Sequence, residues 1–235
     1  MRRAFVALLA AAAAFMAAGP ALASVPAHPK WRSSDPFGSW NNGGYIVYNN
    51  EWNSSHGPQT IWANSFKDWG ASSTQAAGNT AVETYPCVQK NFNHVPVSSF
   101  KLIRNGFTEY MPSSKSGLDA EAANDIWLNN YDIEVMIWTD NHGQRPAGDV
   151  FAHATIFGQH FDVWRAGDSL FTFALNHNET TGVTHILASL NWLINHHQLA
   201  ANVTLTQVNY GWEIASTGGQ ARSFQMTNFW LHTKR

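Results

Sequence analysis

Beyond Asn42 the chain is a succession of short β-forming runs, each closed by glycine, asparagine or aspartate. Ten runs stand out: Gly44–Asn49, Thr60–Ser65, Ser99–Arg104, Asp125–Leu128, Tyr131–Thr139, Val150–Phe157, His160–Arg165, Ser169–Asn176, Thr204–Ile214 and Ser223–His232. Turn clusters such as Asn141-His142-Gly143 and Gly218-Gly219 punctuate them. A strand shows alternate side chains to opposite faces, so many short strands in series bury their apolar halves by closing sheet on sheet, as a sandwich or barrel. One stretch breaks the pattern: between Thr184 and Leu199, Ile186, Leu187, Leu190, Leu193 and Ile194 fall at helical spacing. That predicts one amphipathic helix of about four turns, packed outside a β-sandwich. No internal repeat or long linker divides the chain, which predicts a single domain over 37–235.

The N-terminus predicts the compartment. Arg2 and Arg3 precede an apolar run from Ala4 to Ala18, and Pro20-Ala21-Leu22-Ala23 ends it with small residues. That is the pattern of a secretory leader over 1–23, removed before Ser24; the apolar run is short for a membrane span of roughly 20 residues. The expected product is secreted and extracellular, with no membrane attachment after cleavage. Residues 24–36, with Pro26, Pro29 and Ser33-Ser34, read as a short disordered lead-in. Without Arg2 and Arg3 the chain holds 12 basic and 16 acidic residues, and no basic stripe, so nucleic acid is excluded as a partner. The one cysteine, Cys87, permits no internal disulfide and reads as a buried, inert thiol. All 11 tryptophans follow the leader. They suit stacking on sugar rings, although large β proteins also bury many aromatics, and composition by itself favours burial.

Two runs concentrate candidate chemistry. In Tyr131–Thr139, alternation sets Tyr131, Ile133, Val135 and Ile137 on one face and Asp132, Glu134, Met136 and Trp138 on the other. The first is a core face. The second joins acid, thioether and indole, a poor solvent face and a good wall for a cleft. In Thr204–Ile214, Val208, Tyr210 and Trp212 share one face, while Gln207, Asn209, Gly211 and Glu213 share the other. Two acids on neighbouring strands are placed to flank a glycosidic bond; the plainer alternative is a loop-covered strand with Glu134 in a salt bridge.

In chain order, eight segments carry a resemblance: Asp35-Pro36-Phe37-Gly38, Tyr45-Ile46-Val47-Tyr48-Asn49-Asn50-Glu51-Trp52, Thr84-Tyr85-Pro86, Asp125-Ile126-Trp127-Leu128, Glu134-Val135-Met136-Ile137-Trp138, Pro146-Ala147-Gly148, Phe161-Asp162-Val163-Trp164 and Gly211-Trp212-Glu213. Together they resemble glycoside hydrolase family 12, the jelly-roll endoglucanases and xyloglucanases. The resemblance implies an all-β jelly roll of two curved antiparallel sheets, acting as a monomer on β-glucan or xyloglucan without cofactor or metal. It implies Glu134 as nucleophile, Glu213 as general acid/base and Asp125 as the acid that orients the nucleophile. Asn50 and Trp52 would hold a glucosyl unit, Phe37 would serve as an outer aromatic platform, Met136 and Trp138 would line the reacting subsite, and Pro146 would belong to a cleft loop. Crowding by Glu134 and Asp125 is expected to raise the Glu213 pKa.

Departures accompany the resemblance. Asn53 stands where the family usually has glycine, Asn124 replaces tyrosine before Asp125, and Ser34 and Thr60 fall where many bacterial members pair two cysteines. The stretch Ile214-Ala215-Ser216-Thr217-Gly218-Gly219 follows the acid/base in place of Pro-Phe or Pro-Trp. Other signals point away from chemistry. His196-His197 closes the helix and lacks the converging ligands of a metal site. Asp140, Asp149 and Asp168 read as turn formers, and the Asn-x-Ser/Thr triplets at Asn53, Asn178 and Asn202 as ordinary loop and strand residues. Two competing functions stand beside the hydrolase: a carbohydrate-binding jelly roll without catalysis, and a related jelly-roll xylanase.

Overall fold

The computed structural model describes residues 26–113 and 117–235. The expected leader at 1–23 lies outside the described residues. The elements run β1 (Trp31–Ser33), β2 (Ser39–Asn42), β3 (Tyr45–Tyr48), β4 (Gln59–Ser65), β5 (Asp68–Ser73), β6 (Cys87–Pro96), β7 (Leu102–Tyr110), β8 (Leu118–Leu128), β9 (Ile133–His142), β10 (Asp149–Ile156), β11 (Gln159–Ala166), β12 (Leu170–Leu175), β13 (Thr181–Thr184), α1 (Ile186–Asn195), β14 (Thr204–Thr217) and β15 (Arg222–Lys234). They form a jelly-roll sandwich. One sheet has the order β1-β4-β5-β15-β7-β13, the other β10-β11-β12-β9-β8-β14-β6-β3-β2. Pairing is antiparallel except between β12 and β9, which run parallel.

The core fills the space between the inner faces. Ile61, Trp69, Ile103, Phe107, Phe224 and Phe229 from the smaller sheet meet Ile126, Val135, Ile137, Val208, Tyr210 and Trp212 from the larger. Phe107 stacks on Tyr210 at 4.8 Å between centroids, and Trp69 lies 4.9 Å from Trp212. The alternation expected for Thr204–Ile214 is therefore observed, with its apolar half inward. Helix α1 buries Ile186, Leu190 and Leu193 against the same core. It is shorter than the expected four turns because His197 takes a left-handed φ of 59°. The N–H of His197 then bonds Ile194 O at 3.0 Å and that of Gln198 bonds Leu193 O at 2.9 Å, the paired closure of a Schellman stop. His196 stacks on Trp192 at 3.8 Å. The histidine pair thus ends a helix.

Three expectations need correction. The lead-in is not disordered throughout: Trp31–Ser33 pairs with β4, and Trp31 stacks on Trp40 at 6.3 Å, giving that edge an apolar cover. Tyr131 is not on the core face of β9; it precedes the strand, exposed, at φ 71°. Asp140 is no turn former. A bulge where β9 meets Ala122 and Ala123 places it in the interior, against Glu109 of β7. Ser34 and Thr60, set against a cystine by the resemblance, instead hold hydroxyl to hydroxyl at 2.7 Å.

The Glu109–Asp140 contact gives a pH-dependent term in stability. Glu109 accepts a bond from the Trp212 indole at 2.9 Å, while its other oxygen has no donor and the buried Asp140 acts on it, so the two carboxyls sit together favourably only with a proton between them. Burial first, then the nearby Asp140, push Glu109 well above the carboxylate range. A carboxyl raised on folding favours the native state most below its unfolded pKa of about 4.3, and that contribution is lost as pH rises toward the folded value. Glu109→Gln keeps an acceptor for Trp212 and a donor for Asp140 without titrating. Urea unfolding should show the variant gaining stability on the wild type between pH 5 and pH 8, whereas a constant difference across that range would contradict this origin.

Candidate active site

The second face of the larger sheet lines a cleft of about 1050 Å³. Strand register sets its floor in rows. Trp127 of β8 lies beside Glu134 of β9 and Gln207 of β14; Asp125 lies beside Met136 and Asn209; further along, Glu121 lies beside Glu213. Period-two alternation makes these residues share one face. The expected set of Glu134, Met136, Trp138, Asp125 and Glu213 therefore meets in a single cleft, and Phe37, Asn50 and Trp52 line it from the loops before β2 and after β3. Pro146 does not: it is buried, while its neighbours Gln144, Arg145 and Ala147 face the cleft.

The 49–56 loop alternates struts and contacts. Asn49 and Glu51 point inward: Asn49 Nδ2 donates to Glu51 Oε1, Glu51 Oε2 pairs with His56 Nδ1 at 2.9 Å, and Gln59 Nε2 donates to Asn49 O at 2.9 Å. That leaves Asn50, at φ 47°, and Trp52 turned to the cleft. Asn53, in the usual place of glycine, ties the loop to Val82 O through Nδ2 at 3.2 Å. Phe37 is 59% exposed and Trp52 52%, a large apolar area left to water that a flat ligand would cover. Tyr131 adds a third such ring, 5.8 Å from Trp127. It ends a turn in which Asn129, Asn130 and Tyr131 all have positive φ, at 49°, 60° and 71°. A left-handed tyrosine costs roughly 1–3 kcal/mol, a strain found at ligand-contacting positions.

Hydrogen bonds and charge fix the acids. Asp125 Oδ2 accepts from Trp127 Nε1 at 2.7 Å and from Asn209 Nδ2 at 3.3 Å. Asn209 also donates to Gln207 Oε1 at 2.9 Å, and Gln207 to Asn91 Oδ1 at 2.7 Å, so a chain of amides braces Asp125. Asn124, which replaces the expected tyrosine, is buried and donates to Asn209 O at 3.0 Å. The Asp125 carboxyl faces that of Glu134, close enough for each to act on the other. Burial, then the charge of Glu213, raise Asp125 to about 7. Burial, then the charges of Asp125 and Glu213, raise Glu134 to about 9. Such neighbours titrate as one unit, with protons shared between the two carboxyls. Asp125 already accepts two other donors, which favours Glu134 as the holder of a proton shared by the pair.

Glu213 is raised as well, chiefly by burial and not by crowding from Glu134 and Asp125 as expected. The carboxyl that touches it is Glu121. The sequence assigned no part in the site to Glu121 or Trp127, placed Gln207 and Asn209 only on the face of Glu213, and set Tyr131 in the core. Parity along β8 carried the signal for Glu121, four residues before Asp125 and hence on the same face. Cys87 lies in the floor, buried, its thiol pushed well up by burial. Among the described residues, no three His, Cys, Asp or Glu side chains are arranged to hold a metal ion.

Comparison with known proteins places this geometry. Residues 43–233 match the family model described as glycosyl hydrolase family 12. Similar solved structures include the xyloglucanase domain of NopAA, a type three effector from Sinorhizobium fredii, in complex with cellobiose. It is 23% identical at a TM-score of 0.76, over 88% of this chain and 100% of that one. A family 12 xyloglucanase from Bacillus licheniformis is 22% identical at 0.74, over 87% and 100%. The catalytic domain of Humicola grisea Cel12A, with a soaked thio-cellotetraose, is 19% identical at 0.78, over 87% and 99%. At these identities the structures establish a shared fold.

Proposed function

The chain belongs to glycosyl hydrolase family 12, and we propose that it cleaves internal β-1,4-glucosidic bonds of soluble or amorphous β-glucan or xyloglucan with retention of configuration. The observation that carries this is the meeting of Glu134, Asp125 and Glu213 in one cleft, where Glu213 is near enough for its charge to act on both others. At about 1050 Å³ the cleft lies at the upper end of ligand sites and has room for more than one sugar ring. Phe37, Trp52 and Tyr131 offer faces for successive glucosyl rings, and Asn50 offers an amide for their hydroxyls. Export by the leader at 1–23 would put the enzyme where such polymers are met.

In the first step Glu213 gives its proton to the glycosidic oxygen as that bond to the anomeric carbon breaks, and a Glu134 oxygen bonds the carbon from the opposite face. Glu134 must be ionised to attack. Positive charge growing on the sugar draws negative charge onto Glu134, and the proton shared by the two carboxyls passes to Asp125. In the second step the Glu213 carboxylate takes a proton from water, whose oxygen displaces the Glu134 ester and restores the starting configuration.

The test is reducing-end release from barley β-glucan, carboxymethylcellulose, xyloglucan and xylan. Cleavage of at least one glucan and little of xylan is expected. Silence on all four, with glucan binding by calorimetry, would replace this proposal with a sugar-binding jelly roll.

A further inference from the structure

Glu121 has no accessible surface. Strand β8 sets it directly opposite Glu213 on β14, and the two carboxyls touch. Among the described residues no side-chain donor reaches either Glu121 oxygen, and only its own backbone N–H leans toward it. The charges that act on it are negative: Glu213 from β14 and Asp119 from β8. The Tyr85 phenol, ahead of β6, lies in the same field, and Asp125 and Glu134 complete the acids around Glu213. Glu121 is wholly buried and faces only acids, so two carboxylates repel here unless a proton lies between them.

We propose that Glu121 is a positioning residue that stays protonated and donates a hydrogen bond to one oxygen of Glu213, turning the other toward the cleft. The proposal rests on the assignment of Glu213 as acid/base. It gives that carboxyl a partner at the moment it needs one. When Glu213 has released its proton to the leaving sugar it becomes a carboxylate at the cleft floor, and the Glu121 hydroxyl is the donor that holds the new charge. When Glu213 takes a proton from water, no group is left unpaired. Glu121 thus offsets part of the burial that raises Glu213, so that Glu213 can both give and retake its proton.

The test is a carbon NMR titration of protein carrying glutamate labelled at the side-chain carboxyl, with the Glu213 resonance identified by its loss in Glu213→Gln. In Glu121→Leu the Glu213 midpoint should rise by about one pH unit or more, the scale of a lost hydrogen bond to an ionised group. In Glu121→Gln the amide still donates, and the midpoint should stay near the wild-type value. An unmoved midpoint in Glu121→Leu would overturn the proposal. So would a lowered midpoint in Glu121→Gln, which would mean that Glu121 acts as a negative charge. If Glu121→Leu does not fold, the Glu121→Gln titration decides alone. Failure of the underlying assignment looks different: Glu213→Gln would then hydrolyse β-glucan at the wild-type rate.

Discussion

Glu134→Gln should lower β-glucan turnover by ~10⁴-fold or more while leaving the fold intact and slightly more stable at neutral pH. The amide cannot form the glycosyl ester, and it removes the negative charge that faces the anomeric carbon in the transition state. Stability moves the other way for a reason visible in the site. Folding raises Glu134 to about 9, mainly by burial, so that carboxyl favours the native state below its unfolded pKa and loses that contribution as pH rises toward 9. Glutamine keeps a donor for Asp125 and has nothing to titrate. The melting temperature of the variant should therefore equal or exceed that of the wild type at pH 7, and the difference should vanish at pH 4. Scanning calorimetry at both pH values beside the activity assay separates lost chemistry from lost structure. Activity retained within tenfold would remove Glu134 from the nucleophile's place. A loss of activity with a fall in melting temperature would make it a structural acid.

The opposition of function and stability here is general to the cleft. Four carboxyls, Glu121, Asp125, Glu134 and Glu213, are held together with all their pKa values raised, first by burial. Hydrogen bonds from Trp127 and Asn209 return some of that cost at Asp125, and the Glu121 contact does so at Glu213. The core beneath, with Trp69, Trp212, Phe107 and Tyr210 in contact, keeps the acids from separating.

The face of Thr204–Ile214 was legible from alternation, because a strand buried on one side and lining a cleft on the other must segregate its residues. The start of β8 was not. Its Leu118-Asp119-Ala120-Glu121-Ala122-Ala123 has the alanine and glutamate of a helix, and only its place between two long strands makes it extended. The hidden strand hid Glu121, since a residue outside an assigned strand has no face. Tyr131 escaped for a related reason: parity continued backward from Ile133 put it in the core, whereas three left-handed residues in succession turn it to the cleft. Asp140 moved from turn to interior through a single bulge, which alternation cannot anticipate. The joint presence of the expected acids in one cleft followed from segments spread over the whole chain, because register across β9, β8 and β14 is what brings them side by side.

Glu213→Gln should slow β-glucan hydrolysis by about 10²- to 10⁴-fold, the range for loss of a general acid, but should spare the first step on an activated aryl cellobioside. A dinitrophenolate leaves without a proton, so the glycosyl ester on Glu134 still forms. Its hydrolysis then lacks the base. The variant should show a burst of dinitrophenol followed by a slow steady rate, with a lowered KM, and the enzyme should carry one added cellobiosyl group by mass. Azide needs no base to displace the ester. Added azide should restore the steady rate, and the product should be the β-configured glycosyl azide, because two displacements at one carbon return its configuration. Equal loss on activated and natural substrates, with no burst and no response to azide, would deprive Glu213 of both its proton-transfer roles. An α-configured azide would point instead to a single displacement, and Glu134 would then be the base that activates water.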